Sequence, residues 1–482
     1  MKLDELVAGA ELSGEARIVG DGSAEISDLA YDSRKVKPGT LFFCVRGQKV
    51  DGHDFAPRVV EAGAAALVVE RELGLDLPQV VVADARAAMA ALAARFWGDP
   101  TSELRVVGVT GTNGKTTTAF LVRETLEAAG IRCGLLGTVK QVVAGVEEEV
   151  VRTTPEAIDL QATFRRMLDG GDRACVMEVS SHAMTLHRAD AIHFEVALFT
   201  NLTQDHLDFH ADMEDYFLAK RKLFETGPGT AIVNVDDPYG RRLAEEFDCI
   251  TFSAEGAEAD YSARDASFDA GGARFTVGEI AVRTGLPGHF NVANALGAFA
   301  AAAALGVEAE VAAAGLAAAA RVPGRFEPID EGQGFSVLVD YAHTPDSLEN
   351  VLRAARRLTE GRLIAVFGAG GDRDRDKRPK MGRAAAQLAD LAIVTSDNPR
   401  SEEPEAIVGE VVAGAEGAAE LEVEVDRRAA IALALARAHP GDTVVIAGKG
   451  HEQGQEFECG RKVPFDDREV AREELRKLGS PA

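Results

Sequence analysis

A strand-like run, a glycine-rich loop and a helix-like segment follow one another between residues 106 and 129. The loop carries Gly111 and Gly114, and Lys115 and Thr116 come directly after the second glycine. Glycines let backbone N–H groups turn toward one phosphate, and the N-terminus of a following helix adds a favourable dipole. In such a loop the lysine reaches the β- and γ-phosphates and the hydroxyl contacts Mg²⁺. The segment therefore predicts an ATP site, assigned to residues Gly111, Thr112, Asn113, Gly114, Lys115, Thr116 and Thr117.

The spacing of this loop departs from the generic phosphate-binding pattern, because Val109 stands where that pattern has its first glycine. The alternative interpretation is a plain turn that carries a lysine. The order of strand, loop and helix favours the phosphate site.

Short strand-like runs alternate with helix-like segments along most of the chain. The runs cover residues 174–179, 196–200, 231–235, 337–340, 363–367, 391–395 and 443–447. Such alternation predicts an α/β fold with mostly parallel sheets and helices on both faces. Residues 251–284 look strand-rich, and the alanine-rich residues 293–320 predict helix, because alanine has the highest helix propensity.

The chain has 482 residues, too many for one core, which predicts two to four domains. Glycine and proline interrupt the pattern at residues 97–102 and 321–325, where we expect boundaries. The predicted domains are residues 1–103, 104–324 and 325–482.

The formal charge is −26, with 78 acidic against 52 basic residues. This balance argues against a nucleic-acid partner or an anionic membrane surface, both of which require basic patches. No signal peptide and no run of about 18 apolar residues is present, so no membrane span is predicted. The five cysteines occur singly, which is typical of reduced thiols and predicts a cytoplasmic location.

Two polar positions follow strand-like runs in the middle of the chain. Glu178 stands near the end of the run at residues 174–179, and His206 lies in a ligand-rich segment after the next run. Open α/β sheets bind ligands at the carboxyl ends of their strands. We therefore expect Glu178 to be a Mg²⁺ ligand; the alternative for each residue is a hydrogen-bonded or ion-paired structural role.

Further motifs extend over nearly the whole chain and, with the loop above, resemble those of the Mur ligase family. They are Asp32-Ser33-Arg34, Thr153-Thr154-Pro155, His289-Phe290-Asn291-Val292-Ala293-Asn294, Pro323-Gly324-Arg325, Asp340-Tyr341-Ala342-His343-Thr344-Pro345 and Gly448-Lys449-Gly450-His451-Glu452. Members of this family are ATP-dependent amide ligases that build the stem peptide of peptidoglycan. The resemblance implies three domains: a small N-terminal α/β domain, a central P-loop ATPase-like domain with a mostly parallel sheet, and a Rossmann-like C-terminal α/β domain.

The family resemblance also implies a reaction and its metal ligands. The expected reaction adds meso-2,6-diaminopimelate to UDP-N-acetylmuramoyl-L-Ala-D-Glu through an acyl-phosphate. Thr116, Glu178, His206 and a carbamylated Lys220 would hold Mg²⁺. Burial favours the neutral amine that can capture CO₂, although a lysine such as Lys220 is more often a surface residue.

The remaining site residues are implied by the resemblance in three groups. His343 and Asp340 would lie near the nucleotide, with Asn294 and Arg325 contacting adenine and ribose or phosphate. The UDP-muramoyl-dipeptide would contact Ser33, with the loop at residues 47–48 nearby, and also Thr153, Thr154, Ser180 and Arg188. The diaminopimelate site would consist of Arg373, Asp397, Asn398, Pro399, Arg400, Gly448 and Glu452.

Three alternatives stay open at this point. A lysine-adding Mur ligase would share most motifs, although lysine-adding relatives usually lack an arginine at position 400. A folylpolyglutamate synthetase would share the phosphate-loop core, but Asp32-Ser33-Arg34 and Thr153-Thr154-Pro155 favour the UDP-sugar ligase. A non-catalytic scaffold need not keep Lys115, Glu178, His206, Lys220 and His343 together. We expect a monomer.

Overall fold

The computed structural model describes residues 1–47, 50–150, 152–269, 271–417 and 419–479; Gln48 of the loop named above lies outside them. The chain forms two compact units, each built from several segments. The first comprises Met1–Thr110, Ile131–Ala197 and Ala219–Thr230, and the second Gly111–Gly130, Leu198–Leu218 and Ala231–Ala482. The predicted α/β class with mostly parallel sheets is confirmed, whereas the boundaries at residues 103 and 324 stay a prediction.

The first unit begins with a sheet in the order β1-β5-β4-β3-β2. Its strands are β1 (Arg17–Val19), β2 (Asp28–Ala30), β3 (Thr40–Phe43), β4 (Ala66–Val69) and β5 (Gln79–Val81). Only β1 is antiparallel to its neighbour. The helices are α1 (Leu3–Ala8), α2 (Ala56–Glu61) and α3 (Ala85–Phe96). Leu41 and Phe43 pack on the α3 side and Phe42 on the α2 side, so alternate residues of β3 fill two cores.

A second sheet region of the first unit carries the strand that precedes the phosphate loop. Its strands are β6 (Arg105–Thr110), β7 (Cys133–Leu136), β8 (Gln141–Val143), β9 (Val146–Glu148), β10 (Ala174–Glu178) and β11 (Phe194–Phe199), which begins in this unit. The order is β11-β6-β10-β7-β8-β9. β10 pairs in parallel with β6 and β7, and β8 and β9 form an antiparallel edge. The neighbouring helices in the chain are α4 (Lys115–Ala128), α5 (Ala157–Asp169), α6 (Ser181–Thr185) and α7 (Met213–Glu225).

The second unit contains α4 and the sheet region after it. Its strands are β12 (Thr230–Asn234), β13 (Cys249–Ser253), β14 (Tyr261–Asp269), β15 (Gly272–Val277) and β16 (Ile280–Thr284), with helices α8 (Pro238–Glu246), α9 (His289–Ala304) and α10 (Ala309–Ala318). The strand-rich region is confirmed: β12, β13 and β14 are parallel, and β14, β15 and β16 are antiparallel. The predicted helical run over residues 293–320 forms two helices, which both pack on α4.

The last sheet has the order β17-β18-β22-β19-β20-β21, and only β17 runs antiparallel. Its strands are β17 (Glu327–Pro328), β18 (Ser336–Asp340), β19 (Leu363–Phe367), β20 (Leu391–Val394), β21 (Glu420–Val423) and β22 (Thr443–Ala447). Apolar cores lie on both faces. The helices are α11 (Pro345–Leu358), α12 (Lys377–Leu388), α13 (Pro404–Val412), α14 (Arg427–Arg437) and α15 (Asp467–Gly479), and a hairpin of β23 (Gly454–Glu456) and β24 (Lys462–Pro464) precedes α15.

Among the helices of the described residues, none combines the length and apolar character that crossing a membrane requires.

Candidate active site

The phosphate loop lies between β6 and α4, as the sequence predicts. Gly114 is the N-cap of α4 and has φ +85°, a conformation that side chains rarely adopt. A Cβ there would come 2.4 Å from Asn294 Oδ1, so only glycine fits. Asn294 Oδ1 also accepts a hydrogen bond from Thr118 (3.3 Å), and its amide donates to Asn291 Oδ1 (3.0 Å). Asn294 therefore fixes the start of α4 against α9.

Lys115 folds over the loop that it follows. Its Nζ donates to the carbonyl oxygens of Gly111 (2.9 Å) and Thr112 (2.7 Å). The backbone N–H groups of Thr112 and Asn113 donate to Asn201, at 2.8 and 2.9 Å. No side chain of the described residues caps α4. The ammonium and the positive end of the helix dipole thus occur together, an arrangement that suits an anion.

Arg325 contacts the first turn of α4. Its Nη2 donates to Thr116 Oγ1 (3.1 Å), and its guanidinium lies 4.5 Å from the centre of the Tyr341 ring. Its buried Nε has no hydrogen-bond partner among the described residues. Asp340 accepts the backbone N–H groups of Phe326 and Ala342, both at 2.7 Å. Burial raises the pKa of Asp340, and Arg325 opposes that rise.

Three cationic or titratable side chains surround Asp205 in the second unit. His206 Nε2 lies 3.5 Å from its carboxylate, Lys377 Nζ 3.5 Å and His343 Nε2 3.7 Å. Burial alone would raise the pKa of Asp205, but these neighbours hold the pKa well below its ordinary value. The Nδ1 of His343 contacts the Tyr341 carbonyl (2.8 Å), which fixes the ring with Nε2 toward Asp205.

Glu178 is the last residue of β10 and is 1% exposed. Its carboxylate accepts the backbone N–H of Thr138 (2.7 Å) and the Thr138 hydroxyl (3.1 Å), and that hydroxyl also contacts Thr153 Oγ1 (3.2 Å). Thr154 Oγ1 donates to the Glu178 carbonyl (2.9 Å) and lies 3.3 Å from Ser180 Oγ. The first unit thus brings together the predicted residues Thr153, Thr154, Glu178 and Ser180.

Arg188 contacts the same group and also pairs with the buried carboxylate of Glu156. Its Nη1 donates to the Thr154 carbonyl (3.4 Å), and its Nε lies 3.0 Å from Glu156 Oε1, without the angle of a hydrogen bond. Arg86 (3.2 Å) and Arg152 also pair with Glu156. Burial lowers the pKa of Arg188, with Glu156 opposing and the other two arginines adding to the effect. Three guanidinium groups around one carboxylate leave an excess of positive charge, which suits an anionic ligand.

A second polar cluster follows the ends of β19, β20 and β22. Arg400 has φ +53°, and its Nε donates to Glu456 Oε2 (3.0 Å) and its Nη1 to the Gly371 carbonyl (2.7 Å). Lys449 Nζ donates to Asn398 Oδ1 (2.8 Å), and Asn398 donates to Glu452 Oε2 (2.9 Å). The backbone N–H of Glu456 also donates to Asn398 Oδ1 (2.9 Å). Arg400 and Glu452 therefore belong to one hydrogen-bonded network of loop residues.

Asp397 and Gly448 belong to this cluster, whereas the polar contacts of Arg373 are to residues outside it. Burial opposes the ionised form of Asp397, but Lys449 and Arg427 hold the pKa of that carboxyl below its ordinary value. Pro399 is buried. Arg373 is about half exposed, and its Nη1 donates to the Asp372 carbonyl (3.1 Å) and lies 3.8 Å from Asp208.

Three family models match successive parts of the chain. They are described as "Mur ligase family, catalytic domain" (residues 25–97), "Mur ligase middle domain" (109–302) and "Mur ligase, glutamate ligase domain" (324–450). A curated relative from Streptomyces coelicolor, a UDP-N-acetylmuramoyl-L-alanyl-D-glutamate--2,6-diaminopimelate ligase, is 49% identical over 97% of this chain and 96% of its own length. The chain belongs to the Mur ligase family.

Two further similarities agree with that family. A relative of the same name from Syntrophomonas wolfei is 44% identical and covers 99% of both chains. A solved structure of a ligase of that name is 32% identical, covers 100% of both chains and superposes with a TM-score of 0.70. The resemblance inferred from the motifs is therefore confirmed.

Of the four predicted metal ligands of this Mur ligase, two lie in the first unit and two in the second. Glu178 and Lys220, which is 1% exposed on α7, belong to the first, and Thr116 and His206 to the second. No group of three or more His, Cys, Asp or Glu side chains in the described ranges is placed to hold a metal ion. Magnesium is commonly held by one or two carboxylates together with phosphate oxygens and water, and the single oriented carboxylate of Glu178 meets that requirement.

The motif analysis missed several residues of these clusters, namely Thr138, Glu156, Asp205, Lys377, Lys449 and Glu456. Asp205 and Lys449 stand inside motifs quoted from the sequence, directly beside His206 and Gly448, which was the available signal. Lys377 stands in a run of charged residues at 372–377, a pattern typical of a solvated surface, yet it is buried. Ser33 stays a prediction: it is half-buried in a 3₁₀ turn that Asp32 caps.

Proposed function

We propose that this protein is an ATP-dependent ligase that adds meso-2,6-diaminopimelate to UDP-N-acetylmuramoyl-L-alanyl-D-glutamate. The observation that carries the proposal is the identity, over nearly the whole of both chains, to relatives named for that reaction. The phosphate loop with Lys115 and the network of Arg400, Asn398 and Glu452 supply two sites of the required chemistry. Cytoplasmic location and a monomeric state stay predictions.

The first step joins the dipeptide carboxylate to the γ-phosphate of ATP. A carboxylate oxygen attacks phosphorus, the bond to the bridging oxygen breaks, and ADP leaves behind an acyl-phosphate. The barrier is largely electrostatic, since two anions must meet. Lys115 and the N-terminus of α4 would neutralise the triphosphate, and Arg325 would reach the nucleotide from its stacked position on Tyr341.

The second step forms the amide bond. The amine of the incoming amino acid attacks the acyl carbon, the tetrahedral intermediate expels inorganic phosphate, and the amine loses a proton. We place His343 beside the nucleotide phosphates, because the Tyr341 carbonyl and Asp205 fix the orientation of its ring. Asp340 acts here as a positioning residue, since its two oxygens accept the backbone N–H groups of the residues that directly follow Arg325 and Tyr341.

Mg²⁺ would supply charge neutralisation between the phosphates and the attacking carboxylate. Thr116, Glu178, His206 and Lys220 are its proposed ligands. The two Thr138 donors orient Glu178, as the outer contacts of a metal ligand do. Burial of Lys220 favours the neutral amine, which reacts with CO₂ to give an anionic carbamate.

The UDP-muramoyl-dipeptide would use the first unit. We assign Ser33 to the uridine end and the group of Thr153, Thr154, Ser180 and Arg188 to the muramoyl-peptide. The excess of arginine around Glu156 favours an anionic portion of this substrate at Arg188.

Diaminopimelate differs from lysine by one carboxylate at its far end. Arg400 would bind that carboxylate with Arg373 nearby, and Glu452 would accept the distal ammonium, with Asp397, Asn398, Pro399 and Gly448 forming the rest of the site. Lysine lacks that carboxylate, so the charge-assisted hydrogen bonds from Arg400 to the ligand would be lost while its pair with Glu456 remains. Such a bond contributes about 1.5–3 kcal/mol, which corresponds to roughly 10- to 10²-fold discrimination.

A phosphate-release assay with a panel of acceptors tests the proposal. The protein is incubated with ATP, Mg²⁺, UDP-muramoyl-dipeptide and, in separate reactions, meso-diaminopimelate, lysine or glutamate. We expect phosphate release that requires the dipeptide and is fastest with diaminopimelate. Preferential use of lysine would indicate the lysine-adding alternative. In one further reaction a folate replaces the dipeptide and glutamate is the amino acid; phosphate release in that reaction alone would indicate a folylpolyglutamate synthetase. No release in any reaction would contradict ligase activity.

Two lysines of α7 provide a matched test of the carbamate. Lys220→Ala should reduce turnover about 10²-fold or more, because an anionic ligand is lost, whereas Lys222→Ala, at an exposed position of the same helix, should leave turnover within about 2-fold. The measurement is the steady-state rate of phosphate release. Equal rates for the two variants would remove Lys220 from the mechanism.

A further inference from the structure

Lys449 lies in the proposed amino-acid site, shortly after strand β22. It follows Gly448, which has φ +125° and lies at the end of β22. A Cβ on Gly448 would come 2.8 Å from Asp397 Oδ2, so the backbone conformation and the approach of that carboxylate both require glycine here. The Lys449 side chain itself is fully buried. Protein packing at the end of β22 therefore determines the position of the Lys449 side chain.

The ammonium of Lys449 is saturated by protein acceptors. Its Nζ lies 2.8 Å from Asn398 Oδ1, 3.1 Å from Glu452 Oε2 and 3.5 Å from Asp397 Oδ1. An ammonium has three N–H groups, and each of them has an acceptor here. A buried charge is tolerated only when paired in this way. Lys449 consequently has no donor left for a substrate, and its influence must pass through its three partners.

The first partner, Asn398, is held in one amide orientation. Its Oδ1 accepts from Lys449 Nζ and from the backbone N–H of Glu456 (2.9 Å), and its Nδ2 donates to Glu452 Oε2 (2.9 Å). The second N–H of the amide can then face a ligand carboxylate. Without the ammonium the amide loses the shortest of its three contacts and keeps only those to Glu456 and Glu452, so the N–H that faces the ligand is held less firmly.

The second partner, Glu452, is oriented by the same contact. Lys449 and Asn398 occupy its Oε2, and the Tyr341 hydroxyl lies 3.4 Å from its Oε1. Asp397 brings a second carboxylate to the same ammonium. Removal of Lys449 would leave the buried carboxylate of Asp397 and the partly exposed one of Glu452 without the ammonium between them, and their repulsion would displace Glu452.

We propose that Lys449 is a positioning residue that sets amino-acid selectivity by fixing Asn398 and Glu452 for a second ammonium-and-carboxylate group. The inference rests on the proposed function, since that group is the far end of a diamino dicarboxylate. Lys449 would thus act on the amino-acid site without touching a substrate. Its replacement should reduce the discrimination between diaminopimelate and lysine and leave nucleotide use unchanged.

A competition assay tests the proposal. Wild type and Lys449→Met are given equal concentrations of meso-diaminopimelate and lysine, and the two products are quantified by mass spectrometry. The product ratio equals the ratio of kcat/KM values and does not depend on how much of the enzyme is folded. We expect the preference for diaminopimelate to fall at least about 10-fold in Lys449→Met, through a higher KM for diaminopimelate, with the KM for ATP within about 2-fold.

Lys462→Met is the control, because Lys462 is exposed on β24 and the same change should leave the product ratio unaltered. If Lys449→Met yields no folded protein, Lys449→Gln keeps a donor without the charge and should lower the ratio at least about 3-fold. An unchanged ratio in the variant that folds, including equal losses with both amino acids, overturns the proposal. A wild-type enzyme that does not use diaminopimelate would instead contradict the proposed function.

Discussion

The phosphate loop and the amino-acid site each use a glycine followed by a lysine at the end of a parallel strand, but the two lysines act differently. Lys115 donates to carbonyl oxygens of its own loop, three and four residues away. Lys449 donates to Asn398 and Asp397, which lie in the loop after β20 and are 51 and 52 residues away in the sequence, and to Glu452. A phosphate is common to all nucleotides and can be held by local backbone. Selection between amino acids requires side chains that are held in one orientation by residues distant in the sequence.

This difference predicts separable effects of substitution. Changes in the phosphate loop should reduce turnover equally for every amino acid. Changes in the network of Arg400, Asn398, Glu452 and Lys449 should alter the choice of amino acid and leave nucleotide use unaffected.

The largest effect is expected from Lys115→Met. Loss of the charge that neutralises the triphosphate should lower turnover about 10³-fold, because charge stabilisation is the main contribution to phosphoryl transfer. The product ratio in the competition assay should not change. Turnover within 10-fold of wild type, or a changed ratio, would break the distinction between the two sites.

A smaller, selective effect is expected from Arg400→Lys. A lysine offers a single nitrogen in place of the guanidinium fork and cannot reach Glu456, the Gly371 carbonyl and a ligand carboxylate in their separate directions. The KM for diaminopimelate should therefore rise about 30-fold, and the KM for ATP should stay within about 2-fold. Steady-state kinetics with each substrate varied give both values. Arg428→Lys, at a half-exposed ion pair on α14, is the matched control. Equal kinetics of the two variants would contradict a role for Arg400.

Gly448→Ala tests the backbone of the amino-acid site. The added Cβ meets Asp397 in a strained conformation and should raise the KM for diaminopimelate about 10-fold. Gly409→Ala serves as control, since a Cβ on this residue of α13 meets nothing within 4 Å. A KM for Gly448→Ala no higher than that of the control would show that this backbone is adaptable.

The smallest effect concerns two carboxylates with opposite pKa shifts. Lys449 and Arg427 overcome burial and lower the pKa of Asp397, so its charge adds stability that is complete above pH about 3.9 and is lost as pH falls below it. Burial raises the pKa of Asp346, which accepts from Asn113 of the phosphate loop (2.8 Å), so its charge costs stability at neutral pH and that cost is relieved as pH falls.

Thermal unfolding of two variants across pH measures this contrast. At pH 7, Asp397→Asn should lower the midpoint by roughly 2 °C, and Asp346→Asn should leave it unchanged or raise it. The deficit of Asp397→Asn should persist down to about pH 4, whereas any gain in Asp346→Asn should shrink between pH 7 and 4. Parallel curves for the two variants would contradict the opposite shifts.

Local features of this molecule could be predicted from its sequence. β10 and β22 occur within one residue of the predicted runs at residues 174–179 and 443–447, because strand periodicity is a property of neighbouring residues. The phosphate loop and the position of Glu178 at the end of β10 follow from the same local patterns.

The contacts that hold the site side chains in place could not be predicted in that way. Lys449 meets Asn398, Glu156 meets Arg86, and Asp205 meets Lys377 only after distant strands have paired. Lys377 in particular lies in a run of charged residues that is typical of a solvated surface, and only the packing of α12 shows it to be buried. Sequence patterns thus specify which elements form, and tertiary pairing decides which charges meet.

Oxygen transfer from the dipeptide to phosphate shows whether the reaction passes through an acyl-phosphate. UDP-muramoyl-dipeptide with ¹⁸O in its glutamate carboxylates is incubated with ATP, Mg²⁺ and diaminopimelate, and the released phosphate is analysed by mass spectrometry. An acyl-phosphate predicts one ¹⁸O atom in each phosphate, because the attacking oxygen stays on phosphorus when the amide forms. Unlabelled phosphate accompanied by tripeptide would contradict that mechanism.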